Sequence, residues 1–124
     1  GMSVPLHCGS VGKLFLATLS DEELNQYLSK KLISLSKFTI TKPAILKKEI
    51  LEARATGVAI NFKEHREEWC GISAAVKDRA DRTVAYLNVT LPSFNLSKEK
   101  LKALTPILTS AAEEISAMFN KGAF

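Results

Sequence analysis

Apolar positions along the chain recur at intervals of three and four, then of two, then of three and four again, which predicts helices, then strands, then a closing helix. The first helical stretch follows Gly9-Ser10 and runs through Val11-Gly12-Lys13-Leu14-Phe15-Leu16-Ala17. It resumes after Ser20, where Ser-x-x-Glu ending at Glu23 forms a capping box, each side chain taking a backbone N–H that the helix start leaves without a partner. A second helix starts near Thr41-Lys42-Pro43, because proline in a first turn forfeits no hydrogen bond. It ends at Gly57, which can take the left-handed conformation that closes helices. Leu46, Ile50 and Ala53 are its predicted buried stripe. A third helix reaches from Ser97 to about Asn120-Lys121-Gly122. Leu101, Leu104, Leu108, Ala111, Ile115 and Met118 lie on one continuous face, with a bend expected at Pro106.

Between the second and third helices the period becomes two. Val58, Ile60 and Phe62 alternate with Ala59, Asn61 and Lys63; Cys70, Ile72, Ala74 and Val76 with Gly71, Ser73 and Ala75; Leu87, Val89 and Leu91 with Tyr86, Asn88 and Thr90. These are three strands. Lys77 to Arg82 is long enough for a hairpin and too short for a crossover helix, so the last two strands are expected to be antiparallel. The order helix, helix, three strands, long helix predicts an α+β sandwich, without internal repeats or low-complexity segments.

The two faces of that sheet differ in kind. Val58, Ile60, Phe62, Ile72, Val76, Leu87, Val89 and Leu91 must pack on helices, since burying such side chains stabilises by roughly 1.5–3 kcal/mol each. The opposite face carries Ala59, Asn61, Gly71, Ser73, Ala75, Asn88 and Thr90, with Tyr86 and Lys63 near its ends. A solvated face would carry long charged side chains. Small residues with neutral donors and acceptors suit either the wall of a pocket for a small polar molecule or a surface on which another helix or subunit packs closely.

Composition narrows the function classes. In a chain of 124 residues, 46% hydrophobic and 24% charged, one domain is expected. The net charge of +4 is spread over Lys30-Lys31, Lys47-Lys48, Arg54, Arg79, Arg82 and Lys98 to Lys102, interleaved with acidic residues. We read these as solvated faces and not as a nucleic-acid surface. Cys8 and Cys70 are expected to be free thiols, and two cysteines with two histidines lack paired metal-ligand spacing. No apolar run approaches the roughly 20 residues that span a bilayer, and no secretory signal opens the chain, so a cytoplasmic location without membrane contact is expected. Gly1 before Met2 fits either a residue left by tag removal or a native residue of a longer protein.

Gly9-Ser10-Val11-Gly12-Lys13 superficially suggests a phosphate loop. Such a loop needs glycine where the chain has His7 and a hydroxyl residue where it has Leu14, so nucleotide hydrolysis is rejected. Ser10-Val11-Gly12 instead opens a helix whose unpaired N–H groups favour an anion.

With these segments placed, the chain resembles the C-terminal effector-binding domain of IclR-family transcriptional regulators over nearly its whole length. The resemblance rests on Val4-Pro5-Leu6-His7 followed by Gly12-Lys13 and Leu16-Ala17, on Leu24, on Thr39-Ile40-Thr41 leading into a helix that ends Arg54-Ala55-Thr56-Gly57-Val58, on Glu64-His65, on Ile72-Ser73-Ala74-Ala75-Val76, and on Ala111-Ala112-Glu113-Glu114-Ile115. It implies a GAF-like (profilin-like) antiparallel sheet with helices packed on it. Residues 1–124 would be one effector-binding domain, short of its opening helix and first strands. The DNA-binding winged helix-turn-helix is absent from this chain.

Positions that hold effectors in such domains map onto Ser10, Val11 and Gly12 at the helix start and onto Asn61, Trp69, Gly71, Asn88 and Thr90 along the strands. The chain departs from the family pattern: Asn61 stands where aspartate is frequent, Gly71 where Cys, Ser or Thr is frequent, Glu68 where glycine is usual, Ala75 where proline is common, and Asn88 where serine is frequent. The resemblance implies a small organic acid effector, such as a short keto acid, a sugar acid or an aromatic acid, its carboxylate at Ser10 and the amides of Val11 and Gly12, with Asn61, Asn88 and Thr90 bonding its other oxygens. It also implies association as a dimer or tetramer, with DNA contacted only through the missing domain. No enzymatic activity, cofactor or metal is expected. The rival readings are an enzyme acting on small acids, for which the polar wall offers no positioned general acid or base, and an oligomerisation module without its own ligand.

Overall fold

A computed structural model of the protein describes residues 4–122; Gly1 and Met2 lie outside the described residues. A single 3-10 turn, Leu6–Cys8, leads into α1 (Ser10–Leu16). Helix α2 (Asp21–Leu28) starts at the expected capping box: Ser20 accepts from the Glu23 N–H, and the Glu23 carboxylate accepts from the Ser20 N–H, both at 3.1 Å. Helix α3 (Pro43–Thr56) has its proline in the first turn and ends at Gly57, whose φ of 74° is the left-handed conformation foreseen for it. Its stripe of Leu46, Ile50 and Ala53 is buried.

Strands β1 (Val58–Phe62), β2 (Trp69–Lys77) and β3 (Thr83–Pro92) form an antiparallel sheet in the order β1-β2-β3. Across it run the rows Val58, Ala74, Leu87; Ile60, Ile72, Val89; and Phe62, Cys70, Leu91, interleaved with Ala59, Ser73, Asn88 and Asn61, Gly71, Thr90. The segregation of apolar from small and polar side chains therefore survives in three dimensions.

The C-terminal region departs from the expected single helix. Helix α4 (Lys98–Lys102) stops, and α5 (Thr105–Asn120) begins with Pro106 in its first turn. Proline lacks an N–H, and its ring collides with the carbonyl four residues back. That carbonyl belongs to Lys102, so the helix ends there and restarts. Leu101, Leu108 and Ala112 close the core on the apolar sheet face, whereas Met118, expected on the same stripe, is 48% exposed.

On the other face α1 packs against β1 and β2, with α3 alongside. A second core of Leu16, Leu24, Leu28, Leu32, Leu46 and Ile50 joins α1, α2 and α3. Leu14, Ala53 and Ala59 pack where α1, α3 and β1 meet. Ala59 and Ser73 on this face are covered by the protein's own helix, whereas Asn88 and Thr90 remain exposed.

Candidate functional site

Beyond the start of α1 the uncovered part of the small-residue face forms a cleft of about 670 Å³. Ser10, Val11, Asn61, Trp69, Gly71, Asn88 and Thr90, seven of the eight residues expected at an effector site, line it. Gly12 does not. A Cβ at Gly12 would stand 2.1 Å from the Leu6 carbonyl oxygen, so this glycine lets α1 lie against the Leu6–Cys8 turn. Trp69 is 47% exposed and lines the cleft, which excludes a core tryptophan. Val4, Gly9, His65, Arg66 and Cys70 complete the lining.

A chain of side-chain hydrogen bonds floors the cleft. Ser10 Oγ lies 2.6 Å from Ser73 Oγ, the Ser73 hydroxyl donates to Asn88 Oδ1 at 2.7 Å, and Asn88 Nδ2 donates to Thr90 Oγ1 at 3.3 Å. Ser73 is wholly buried. Sequence reasoning placed it on this face but not in the site, and its register between Ala59 and Asn88, directly beside a glycine-bearing row, was the available signal. At Gly71 an added Cβ would approach Ser10 Oγ to 3.3 Å, so the missing side chain leaves room beside that hydroxyl. Asn61 Oδ1 accepts from the Glu64 N–H at 2.8 Å, which commits the oxygen and leaves the NH₂ group as the part that can meet a ligand.

Beneath the cleft lies a buried charge cluster that the sequence did not reveal. Lys13 Nζ contacts Glu64 Oε1 at 2.7 Å and donates to Glu49 Oε1 at 3.0 Å and to the Ile60 carbonyl at 2.9 Å. The Glu64 contact is a charge contact and not an aligned hydrogen bond; Glu64 Oε2 accepts from the Phe62 N–H at 2.9 Å. Burial pushes the Glu64 carboxyl up, against the opposing pull of Lys13. Lys63, at φ 59°, turns the chain so that Glu64 can fold back under β1. The Ser36 and Thr39 hydroxyls hold this turn by donating to the carbonyls of Lys63 and Glu64, each at 2.6 Å. His65 and Arg66, reached directly after it, are thereby delivered to the cleft wall. Sequence reasoning gave neither His65 nor Arg66 a place in the site.

An antiparallel sheet with helices on both faces, and a concave polar cleft on one of them, defines a small α+β domain. Residues 1–117 match the family described as "Bacterial transcriptional regulator IclR C-terminal", and the chain belongs to that family. It is 31% identical over 120 residues to the probable transcriptional regulator SauR of Cupriavidus necator, covering 96% of this chain and 48% of that protein. Among solved structures it is similar to the repressor BlcR of Agobacterium tumefaciens, with a TM-score of 0.82 and 27% identity over 97% of this chain and 48% of that one. The C-terminal domain of the Escherichia coli regulator KdgR gives a TM-score of 0.77 and 28% identity, covering 97% of this chain and 74% of that one. The chain thus spans about half the length of the full-length relatives it matches, and those relatives are named as transcriptional regulators and repressors, not as enzymes.

Proposed function

We propose that this domain senses a small organic acid held in the cleft, with Ser10, Val11, Asn61, Trp69, Gly71, Asn88 and Thr90 as its contact surface. The supporting observation is the charge character of the lining. Arg66 and His65 stand on the wall, neutral polar groups floor it, and no Asp or Glu is among the described lining residues, so a carboxylate meets no like charge from them. Gly12 contributes indirectly, by letting α1 and its first residues sit where they do. An inducer-binding domain of PobR from Acinetobacter, solved in complex with 3-hydroxybenzoic acid, has this fold at 24% identity, which supports only that the fold can accommodate an acid.

In the whole regulator, binding would bias the arrangement of subunits and of an attached winged helix-turn-helix, a coupling that needs only about 1–3 kcal/mol. Dimeric or tetrameric association and a cytoplasmic location belong to the same proposal. Among the described residues no helix is long and apolar enough to cross a membrane.

Thermal unfolding against a panel of organic acids tests the reading. An acid at about a hundred times its dissociation constant should add roughly 2.7 kcal/mol of stability. No shift from any acid would instead favour a module that packs subunits through this face.

A further inference from the structure

The hydrogen-bond chain on the cleft floor has a direction, and the direction sets which part of a ligand Ser10 can meet. Asn88 Oδ1 has only lone pairs to offer, so the 2.7 Å contact from Ser73 uses the single proton of the Ser73 hydroxyl. The 2.6 Å contact between Ser10 and Ser73 then requires Ser10 to donate, because two oxygen lone pairs do not approach so closely. The next oxygen within reach of the Ser10 hydroxyl is again Asn88 Oδ1, at 3.4 Å, also an acceptor. Either way the Ser10 proton points into the protein, and Ser10 Oγ faces the cleft as an acceptor alone. Donors sit elsewhere on the lining, among them the Asn61 NH₂ group and the Thr90 hydroxyl, which accepts from Asn88 Nδ2 and keeps its own proton.

We infer that the cleft takes a hydroxy acid in preference to the matching keto acid, the ligand hydroxyl donating to Ser10 Oγ. This rests on the organic-acid reading above and refines it. A keto oxygen at the same place would face the serine lone pairs with no proton between them. Leaving a buried acceptor unmatched costs about tenfold or more in affinity. Ser73 touches no ligand; it is the positioning residue that turns the Ser10 proton inward.

Calorimetric titration of the protein with three matched pairs tests this: lactate and pyruvate, 3-hydroxybutyrate and acetoacetate, mandelate and phenylglyoxylate. In each pair that binds, the hydroxy acid should bind about tenfold more tightly. Ser10→Ala should bring that ratio close to one, and Ser73→Ala combined with Asn88→Leu, which removes both inward acceptors, should lower it by releasing the Ser10 proton toward the cleft, an effect that a purely structural serine would not have on a ratio. Equal or tighter binding of the keto acids by the unaltered protein overturns the inference and leaves the acid reading standing. Binding of none of the six acids overturns both. The unaltered protein decides these outcomes whether or not either variant folds.

Discussion

Lys13 and Glu64 meet at 2.7 Å with side chains only 1% and 2% exposed, joining α1 to the turn that follows β1. Ser10 opens the first of these segments, and His65 and Arg66 follow Glu64 along the second to the cleft wall. Removing one partner of a buried ion pair costs about 3–5 kcal/mol, because the other charge is left without compensation. Lys13→Met should therefore destabilise the domain by that amount in urea unfolding, and adding Glu64→Gln should recover part of it. The pH dependence follows from burial, which raises the Glu64 carboxyl. A raised group contributes stability at low pH that is lost as pH rises through its folded-state value. Without Lys13 that value rises further, so the loss in Lys13→Met should be larger at pH 8 than at pH 5.

Asn88→Leu removes the acceptor at the centre of the cleft floor and leaves the buried Ser73 hydroxyl without its 2.7 Å partner. A loss of about 1–3 kcal/mol is expected, together with loss of the stabilisation by acids. Thermal unfolding with and without the acid checks both. Unchanged or increased stability would speak for a subunit-packing face.

Gly12→Ala should destabilise although alanine favours helices by about 1 kcal/mol over glycine. The new methyl group would lie 2.1 Å from the Leu6 carbonyl oxygen and 2.8 Å from its carbonyl carbon, backbone atoms that cannot turn aside. Overpacking of this kind costs about 1–3 kcal/mol or more, so the Tm should fall by several degrees.

The two cysteines should be inert to thiol reagents in the native state and react only on unfolding. Both are buried and free. Burial, with the Glu64 carboxylate nearby, pushes the Cys8 thiol from 9.0 up to about 11, and burial raises Cys70 as well. Raised values mean that their contribution to stability is intact below about pH 9 and is lost as pH climbs toward about 11. Alkaline unfolding curves, with and without Cys8→Ala, measure that loss.

Much of this protein was legible without coordinates wherever a local rule carried the information. The Ser20–Glu23 capping box, Pro43 at the start of α3, Gly57 at its end and the period-two runs each depend on residues a few positions apart. The third helix starts at Ser97 as expected, but the interruption at Pro106 is a full break and not a bend: the apolar spacing continues smoothly through Leu101, Leu104 and Leu108, while the proline collision acts on the backbone, at the Lys102 carbonyl. Asn61, Gly71, Asn88 and Thr90 line one cleft because strand alternation places them on one face once the register is set.

The sequence by itself determined the elements, the antiparallel hairpin and the two unlike sheet faces, since these follow from spacing along one chain. Tertiary structure alone decided that α1 covers half of the small-residue face and leaves the other half open, that Lys13 is sealed against Glu64, and that Ser73 orders the protons beneath the cleft. Each of these joins residues tens of positions apart, and neither burial nor the direction of a hydrogen bond exists until packing brings its partners together.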